Sequence, residues 1–507
     1  MVVRNGRAAS LWAVGVVATL ISALTPAAAF AASEDAATRD PLRQYEQQKL
    51  GWQRCDPGSP ATFQCATLKV PLDYGDPGGR TIGLAISRIK AGSAKERHGA
   101  LLINPGGPGG AGLDMPQSVG SLLPAEVQRQ YDLIGFDPRG IGQSSPLGCG
   151  LTDDELNWEH PYAERTFASN VAWARTVADK CQAKEGDTLP FITTRNTARD
   201  LDVIRAVLGE KTISYLGYSY GTYLGAVYTQ MFPQRADRVV LDSSVDPTKV
   251  WRGTFQGWAK EAEAAFTRWT EWAAERDATY RLGATPAEVR TTFWDLVAQA
   301  NQTPIPTEGA PLSGDDLRLG YDALFHVETV TPWIAALKAA AAGGKPAPAT
   351  PTQQTPHPGP PAFTRGVPAD NAGVAAWAIF CGDTGSWPRD PEQYRRDAIR
   401  DKARYPLYGD AGSNIQPCAF WKAAGSEPTT VVNNDHSVLI LQNRWDPQTP
   451  LAMAQGMRRA LHGARLVTVA GGEGHGVLGV TKSCADASAT AYLTTGRLPA
   501  KDLTCSN

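Results

Sequence analysis

The stretch Thr212–Gly225, Thr-Ile-Ser-Tyr-Leu-Gly-Tyr-Ser-Tyr-Gly-Thr-Tyr-Leu-Gly, constrains this chain more than any other. Inside it lies Gly217-Tyr218-Ser219-Tyr220-Gly221, a G-x-S-x-G pentapeptide. The residues before it, Ile213-Ser-Tyr-Leu216, read as a short buried strand, and Tyr223 to Phe232 carry apolar positions at helical spacing. A serine at a strand–turn–helix junction is the setting of a nucleophile elbow, in which a strained backbone raises the hydroxyl above a sheet. Glycines two residues either side prevent side chains from colliding across so tight a turn. The pentapeptide alone fits an ordinary glycine turn with a surface serine equally well, so the rest of the chain must decide.

Around this stretch, strands alternate with helices. Thr67–Leu72 and Thr81–Ile89 alternate as strands of an antiparallel edge, with a turn at Asp76-Pro-Gly-Gly between them. Ala100–Asn104, Tyr131–Asp137 and Arg238–Asp242 are buried strands, and Asn196 to Leu208 is a helix with Leu201, Ile204, Val207 and Leu208 on one face. From about Asp246 the rhythm turns helical and aromatic, with Trp258, Phe266, Trp269, Trp272 and Trp294. Most of these tryptophans are expected to pack in a core, and one or two to line a pocket. A proline-dense loop from Gly343 to Pro361 and an apolar helix at Ala375–Phe380 follow. The strand pattern resumes at Ser437–Gln442, a helix begins with Thr449 as its cap, Ala464–Ala470 is a last strand, and Ala485–Leu493 a last helix. The pattern predicts an α/β fold with a mostly parallel sheet. Residues 49–245 and 431–507 form its two halves, and 246–430 an inserted, largely helical cap.

The N-terminus and the cysteines indicate where such a chain works. Arg4 and Arg7 precede an apolar run from Leu11 to Leu24, then Pro26 and a small-residue stretch ending Ala31-Ala32. Residues 1–31 read as a secretory signal peptide cleaved after Ala31, because the run is shorter than the roughly 20 residues that span a bilayer. Residues 32–48 read as a polar lead or propeptide. Eight cysteines follow the signal, none in a C-x-x-C pair, so four disulfides are expected in an exported protein. Each cysteine is expected to pair with its neighbour in sequence, since each such pair closes a short loop. A formal net charge of -2 gives no reason to invoke nucleic acid or an anionic membrane.

A serine hydroxyl is a weak nucleophile that needs a positioned base, itself oriented by a carboxylate. In α/β-hydrolases these come in the order Ser, acid, His, each after a strand. Ser219, Asp446 and His475 have that order and those positions. Asp435 precedes its strand and so sits at the wrong end; Asp446 could alternatively cap a helix, and His475 could be a backbone-satisfied loop histidine. The backbone N–H groups of Tyr220 and of Gly107, in Pro105-Gly-Gly-Pro-Gly, are the expected oxyanion donors. Gly107-Pro-Gly-Gly-Ala-Gly112 also matches the dinucleotide fingerprint G-x-G-x-x-G. Pro108 withholds an N–H there, and no acid ends the next strand at about the required 20 residues, so that reading falls. No metal or organic cofactor is called for. Arg139 is read as structural.

The motifs Asn104-Pro-Gly-Gly-Pro-Gly-Gly, Gly135-Phe-Asp-Pro-Arg-Gly, Asn196-Thr-Ala-Arg-Asp-Leu-Asp-Val-Ile-Arg, Gly217-Tyr-Ser-Tyr-Gly-Thr-Tyr-Leu-Gly and Gly474-His-Gly jointly resemble the secreted bacterial tripeptidyl aminopeptidases, among the proline-iminopeptidase-like α/β-hydrolases. The resemblance covers nearly the whole chain after the signal. Pro105 stands where proline iminopeptidases carry His. The resemblance implies a serine exopeptidase acting on peptides with a free N-terminus, with Ser219, Asp446 and His475 as triad. An aminopeptidase needs a carboxylate for the substrate ammonium, and Asp383, in Phe380-Cys-Gly-Asp, is the candidate, with a turn aspartate as the plain alternative. The triad itself leaves open an esterase or lipase, another aminopeptidase specificity, or a binding protein that has kept the fold.

Overall fold

The computed structural model describes residues 41–349, 363–422, 427–479 and 483–506. The signal-peptide reading, the cleavage point after Ala31, the first part of the polar lead and most of the proline-dense loop lie outside them. Among the described residues no helix is long and apolar enough to cross a membrane.

Ten strands make one sheet: β1 (Gln53–Arg54), β2 (Gln64–Pro71), β3 (Thr81–Ile89), β4 (Gly99–Asn104), β5 (Tyr131–Phe136), β6 (Ile213–Tyr218), β7 (Ala236–Asp242), β8 (Val438–Trp445), β9 (Arg465–Glu473) and β10 (Leu503–Cys505). Their spatial order is β1-β2-β3-β5-β4-β6-β7-β8-β9-β10. The β1–β2, β2–β3 and β3–β5 pairs are antiparallel and the others parallel. This is the mostly parallel α/β sheet that the alternation of elements predicts.

Every residue of β4 and β6 is buried, as central parallel strands covered by helices on both faces require. Their alternation sorts side chains between two cores. Leu102, Tyr215, Leu241 and Ile440 face one, while Leu101, Leu216, Val240 and Leu441 face the other. On the edge, β2 instead alternates buried and exposed residues. A third core, which includes Phe266, Trp269, Phe293 and Trp333, lies within the helices between β7 and β8.

The sequence reading lacks β1, the helix Phe167–Glu185 and β10, and it takes the end of the polar lead as loose. A tenth strand follows the last helix, because Leu503–Cys505 is too short to show a pattern yet pairs with β9 and is pinned by the Cys484–Cys505 disulfide. The end of the polar lead is packed rather than loose: Tyr45 is buried with its hydroxyl donating to the Pro77 carbonyl at 2.6 Å, and Gln48 exchanges hydrogen bonds with the Lys69 backbone. The cysteines pair in sequence order, 55–65, 149–181, 381–418 and 484–505. Arg139 is fully buried and forks onto Asp200 at 2.6 and 2.7 Å, with further bonds to the Leu72 and Phe191 carbonyls.

Candidate active site

Ser219 sits between β6 and the helix Tyr220–Met231, with φ 55° and ψ -123°. A non-glycine residue there is strained and persists only where its surroundings hold it. The holding is visible. The Ser219 N–H donates to the Asp242 carbonyl at 3.0 Å, and the Ser219 carbonyl accepts the Thr222 hydroxyl at 2.6 Å. A Cβ on Gly217 would lie 2.4 Å from the Gly221 carbonyl oxygen, so the two glycines permit the turn.

The loop after β4 comes up against this elbow. Gly106 and Gly107 have φ of 95° and 109°, and a Cβ on Gly106 would stand 2.9 Å from that of Ser219. Only glycine allows so close an approach. Gly107, Ser219 and Tyr220 together line a cleft of about 700 Å³.

Asp446 follows β8 directly, and His475 follows β9. The structure brings them together: Nδ1 of His475 lies 2.9 and 3.0 Å from the two carboxylate oxygens. An ionised carboxylate only accepts, so the imidazole proton resides on Nδ1 and Nε2 is left as the acceptor. Nε2 is buried and has no partner among the described residues. Burial disfavours the charge on both groups, but their mutual attraction outweighs it. Asp446 is held below the usual carboxylate range and His475 above the usual imidazole one. Asp446 is fully buried and further fixed by the Gln448 and Thr449 N–H groups, each at 2.9 Å.

Thr449 is not the helix cap that its position suggests. Pro450 occupies that place, and the Thr449 hydroxyl donates to Asp446 at 2.9 Å while lying 3.3 Å from His475 Nδ1. Thr449 also lines the cleft that Ser219 lines, so the Asp446–His475 pair lies directly behind one residue of that wall.

A second set of residues, not found from sequence, positions the histidine loop. Asn443 donates from Nδ2 to the carbonyls of Gly474 and Gly476 at 3.0 and 2.9 Å. The Asp242 carboxylate accepts the Val477 and Leu478 N–H groups, and Ser243 accepts that of Gly476. Burial pushes the Asp242 carboxyl up to about 7. Asp242 showed in sequence only as the end of a strand.

Asp383 is not brought to the cleft. It is buried with three donors: the Thr194 N–H at 2.7 Å, the Thr194 hydroxyl at 2.6 Å and the Trp251 indole at 3.2 Å. Its carboxyl, pushed up to about 6 mainly by burial, is occupied in fixing Trp251, whose ring lines the cleft in its stead. The same wall carries Trp158 and Trp258, so a few tryptophans do face a cavity.

Known proteins share this organisation. Residues 99–298 match the family described as alpha/beta hydrolase fold, and residues 405–505 match the one described as TAP-like protein. A tripeptidyl aminopeptidase of Streptomyces lividans is 36% identical over 476 residues, covering 90% of this chain and 86% of that one. The serine protease Hip1 of Mycobacterium tuberculosis is 30% identical, over 90% of this chain and 91% of its own. A carboxylesterase B of the same organism is 29% identical over 95% and 94%. Extended along nearly the whole chain and joined to the sheet order and the placement of Ser219, these similarities mean that the chain belongs to the tripeptidyl aminopeptidase family of α/β-hydrolases.

Proposed function

We propose that the protein is a secreted serine exopeptidase that releases tripeptides from peptides with a free N-terminus. The observation that carries the reading is the buried Asp446–His475 pair, its Nε2 without a partner among the described residues, directly behind Thr449 on the cleft that the strained Ser219 lines. His475 Nε2 takes the hydroxyl proton as Ser219 Oγ attacks the scissile carbonyl. The N–H groups of Gly107 and Tyr220 hold the oxyanion. As the tetrahedral species collapses, the C–N bond breaks and His475 passes the proton to the leaving amine. Water, deprotonated by the same nitrogen, then attacks the acyl-enzyme and frees Ser219. Asp446 steadies the imidazolium in both halves. The tripeptidyl aminopeptidase of Streptomyces lividans supports a peptide substrate.

We read residues 246–430 as the cap that shapes the cleft, with 49–245 and 431–507 as the hydrolase core. Four disulfides support export to an oxidising compartment, with the signal cleaved after Ala31. The second reading is an esterase with the same three residues, favoured by the carboxylesterase relative. Turnover of a free-amino tripeptidyl chromophore, its N-acetylated form and a simple acyl ester separates these. Faster turnover of the free-amino peptide than of its N-acetylated form, abolished in Ser219→Ala, supports the exopeptidase. Turnover of the ester alone overturns it.

A further inference from the structure

The cleft beside Ser219 carries charge of one sign. Its wall holds Glu159, Asp316 and Asp322, and no lysine, arginine or histidine among the described residues. Asp316 is already engaged, capping its helix by accepting the Ser313 N–H at 2.8 Å and the Ser313 hydroxyl at 2.6 Å.

Glu159 is placed differently. It lies between Cys149 and the helix Phe167–Glu185, next to Trp158, whose ring packs edge-on against Phe255 and Trp258. One carboxylate oxygen accepts the Tyr408 hydroxyl at 3.1 Å, and the other has no donor among the described residues. Burial pushes this carboxyl up to about 7, and the charge of Asp322 adds to the rise. Asp322 belongs to the helices between β7 and β8 and is itself raised by burial. Two walls of different origin thus set carboxylates around one half-dry space, and among the described residues no basic side chain lines it. Desolvated carboxylates gain most from a ligand that brings a cation with it.

We propose that Glu159, assisted by Asp322, receives the α-ammonium group of the peptide substrate and so sets how far from the free end Ser219 cuts. The inference rests on the exopeptidase reading above and names the group that reading requires but Asp383 does not supply. An ammonium here hydrogen-bonds to the open oxygen of Glu159. An N-acetylated peptide offers a neutral amide and leaves the open oxygen of Glu159 without a cationic donor.

The experiment measures kcat/KM for a free-amino tripeptidyl chromophore and its N-acetylated form, in the unaltered protein, Glu159→Gln and Asp322→Asn. Loss of a charge-assisted contact predicts that the free-amino preference falls about 10- to 100-fold in Glu159→Gln, chiefly through a higher KM for the free-amino peptide. Asp322→Asn produces a smaller fall of the same kind. An unchanged preference in Glu159→Gln overturns the assignment. Should Glu159→Gln fail to fold, Asp322→Asn decides: a fall supports the proposal and no change overturns it. A preference absent from the unaltered protein overturns the exopeptidase reading itself, a distinct result.

Discussion

The backbone carbonyl of Asp242 accepts the N–H of Ser219 at 3.0 Å, so the end of β7 is fastened to the strained turn. The carboxylate of Asp242 accepts the N–H of Leu478 at 2.7 Å, three residues beyond His475. One residue therefore fixes the proposed nucleophile through its main chain and the proposed base through its side chain.

Asp242→Asn tests that coupling. The carboxylate accepts from both the Val477 and Leu478 N–H groups, whereas an amide turns one donor toward a donor. The loop carrying His475 must shift, and a displacement near 1 Å costs about 100-fold in rate. The expected outcome in steady-state kinetics is a fall in kcat of that order with KM little altered. A change confined to KM would contradict it.

A pH profile tests the Asp446–His475 pair. The base must be neutral to act, so kcat/KM rises as the pH climbs past the pKa of His475 in the free enzyme. That pKa is raised, because attraction to Asp446 outweighs burial; the acid limb is therefore expected above the ordinary imidazole value of about 6.5. Asp446→Asn removes the attraction and leaves the burial. The limb should move to lower pH while kcat falls about 10⁴-fold. An acid limb that stayed in place would detach Asp446 from His475.

How much was readable in advance follows from which residues act through local pattern. Ser219, Asp446 and His475 each follow a strand in chain order, and parallel pairing of β6 to β9 sets the three loops at one edge of the sheet, with His475 against Asp446. The buried central strands were legible because parallel pairing demands continuous apolar runs. Asp242, Asn443 and Glu159 were not, since their partners lie far away in sequence: Asp242 and Leu478 are 236 residues apart. Thr449 was misread because a threonine before a proline and a helix has the form of a cap, whereas its hydroxyl serves Asp446. Asp383 was misplaced for a related reason. Sequence marks a carboxylate beside a cysteine, but the cleft or the Thr194 and Trp251 donors can claim it, and only packing decides.

The Cys149–Cys181 disulfide closes a loop of 32 residues that contains Glu159. Chain-entropy reasoning gives such a closure about 3–4 kcal/mol of stability. The paired variant Cys149→Ser/Cys181→Ser should unfold at lower urea concentration by a corresponding amount. It should also raise KM for a free-amino peptide, since the loosened segment carries the proposed ammonium receptor. A lower unfolding midpoint with KM unmoved would argue against Glu159 as that receptor.

Asp383→Asn separates the carboxylate expected from sequence from the one that the cleft contains. Asp383 accepts from the Thr194 N–H, the Thr194 hydroxyl and the Trp251 indole, and every one of these contacts needs an acceptor. An asparagine keeps one accepting oxygen and turns an NH₂ toward donors, leaving at least one of them buried and unmatched at about 1–3 kcal/mol. The fold should therefore weaken, read as a lower melting temperature. KM should rise for free-amino and N-acetylated peptides together, because Trp251 loses its anchor and its ring lines the cleft for both. The preference between the two substrates should hold, since Asp383 does not line the cleft and its oxygens are taken by Thr194 and Trp251. Loss of that preference in Asp383→Asn, with Glu159→Gln retaining it, would return the ammonium site to Asp383.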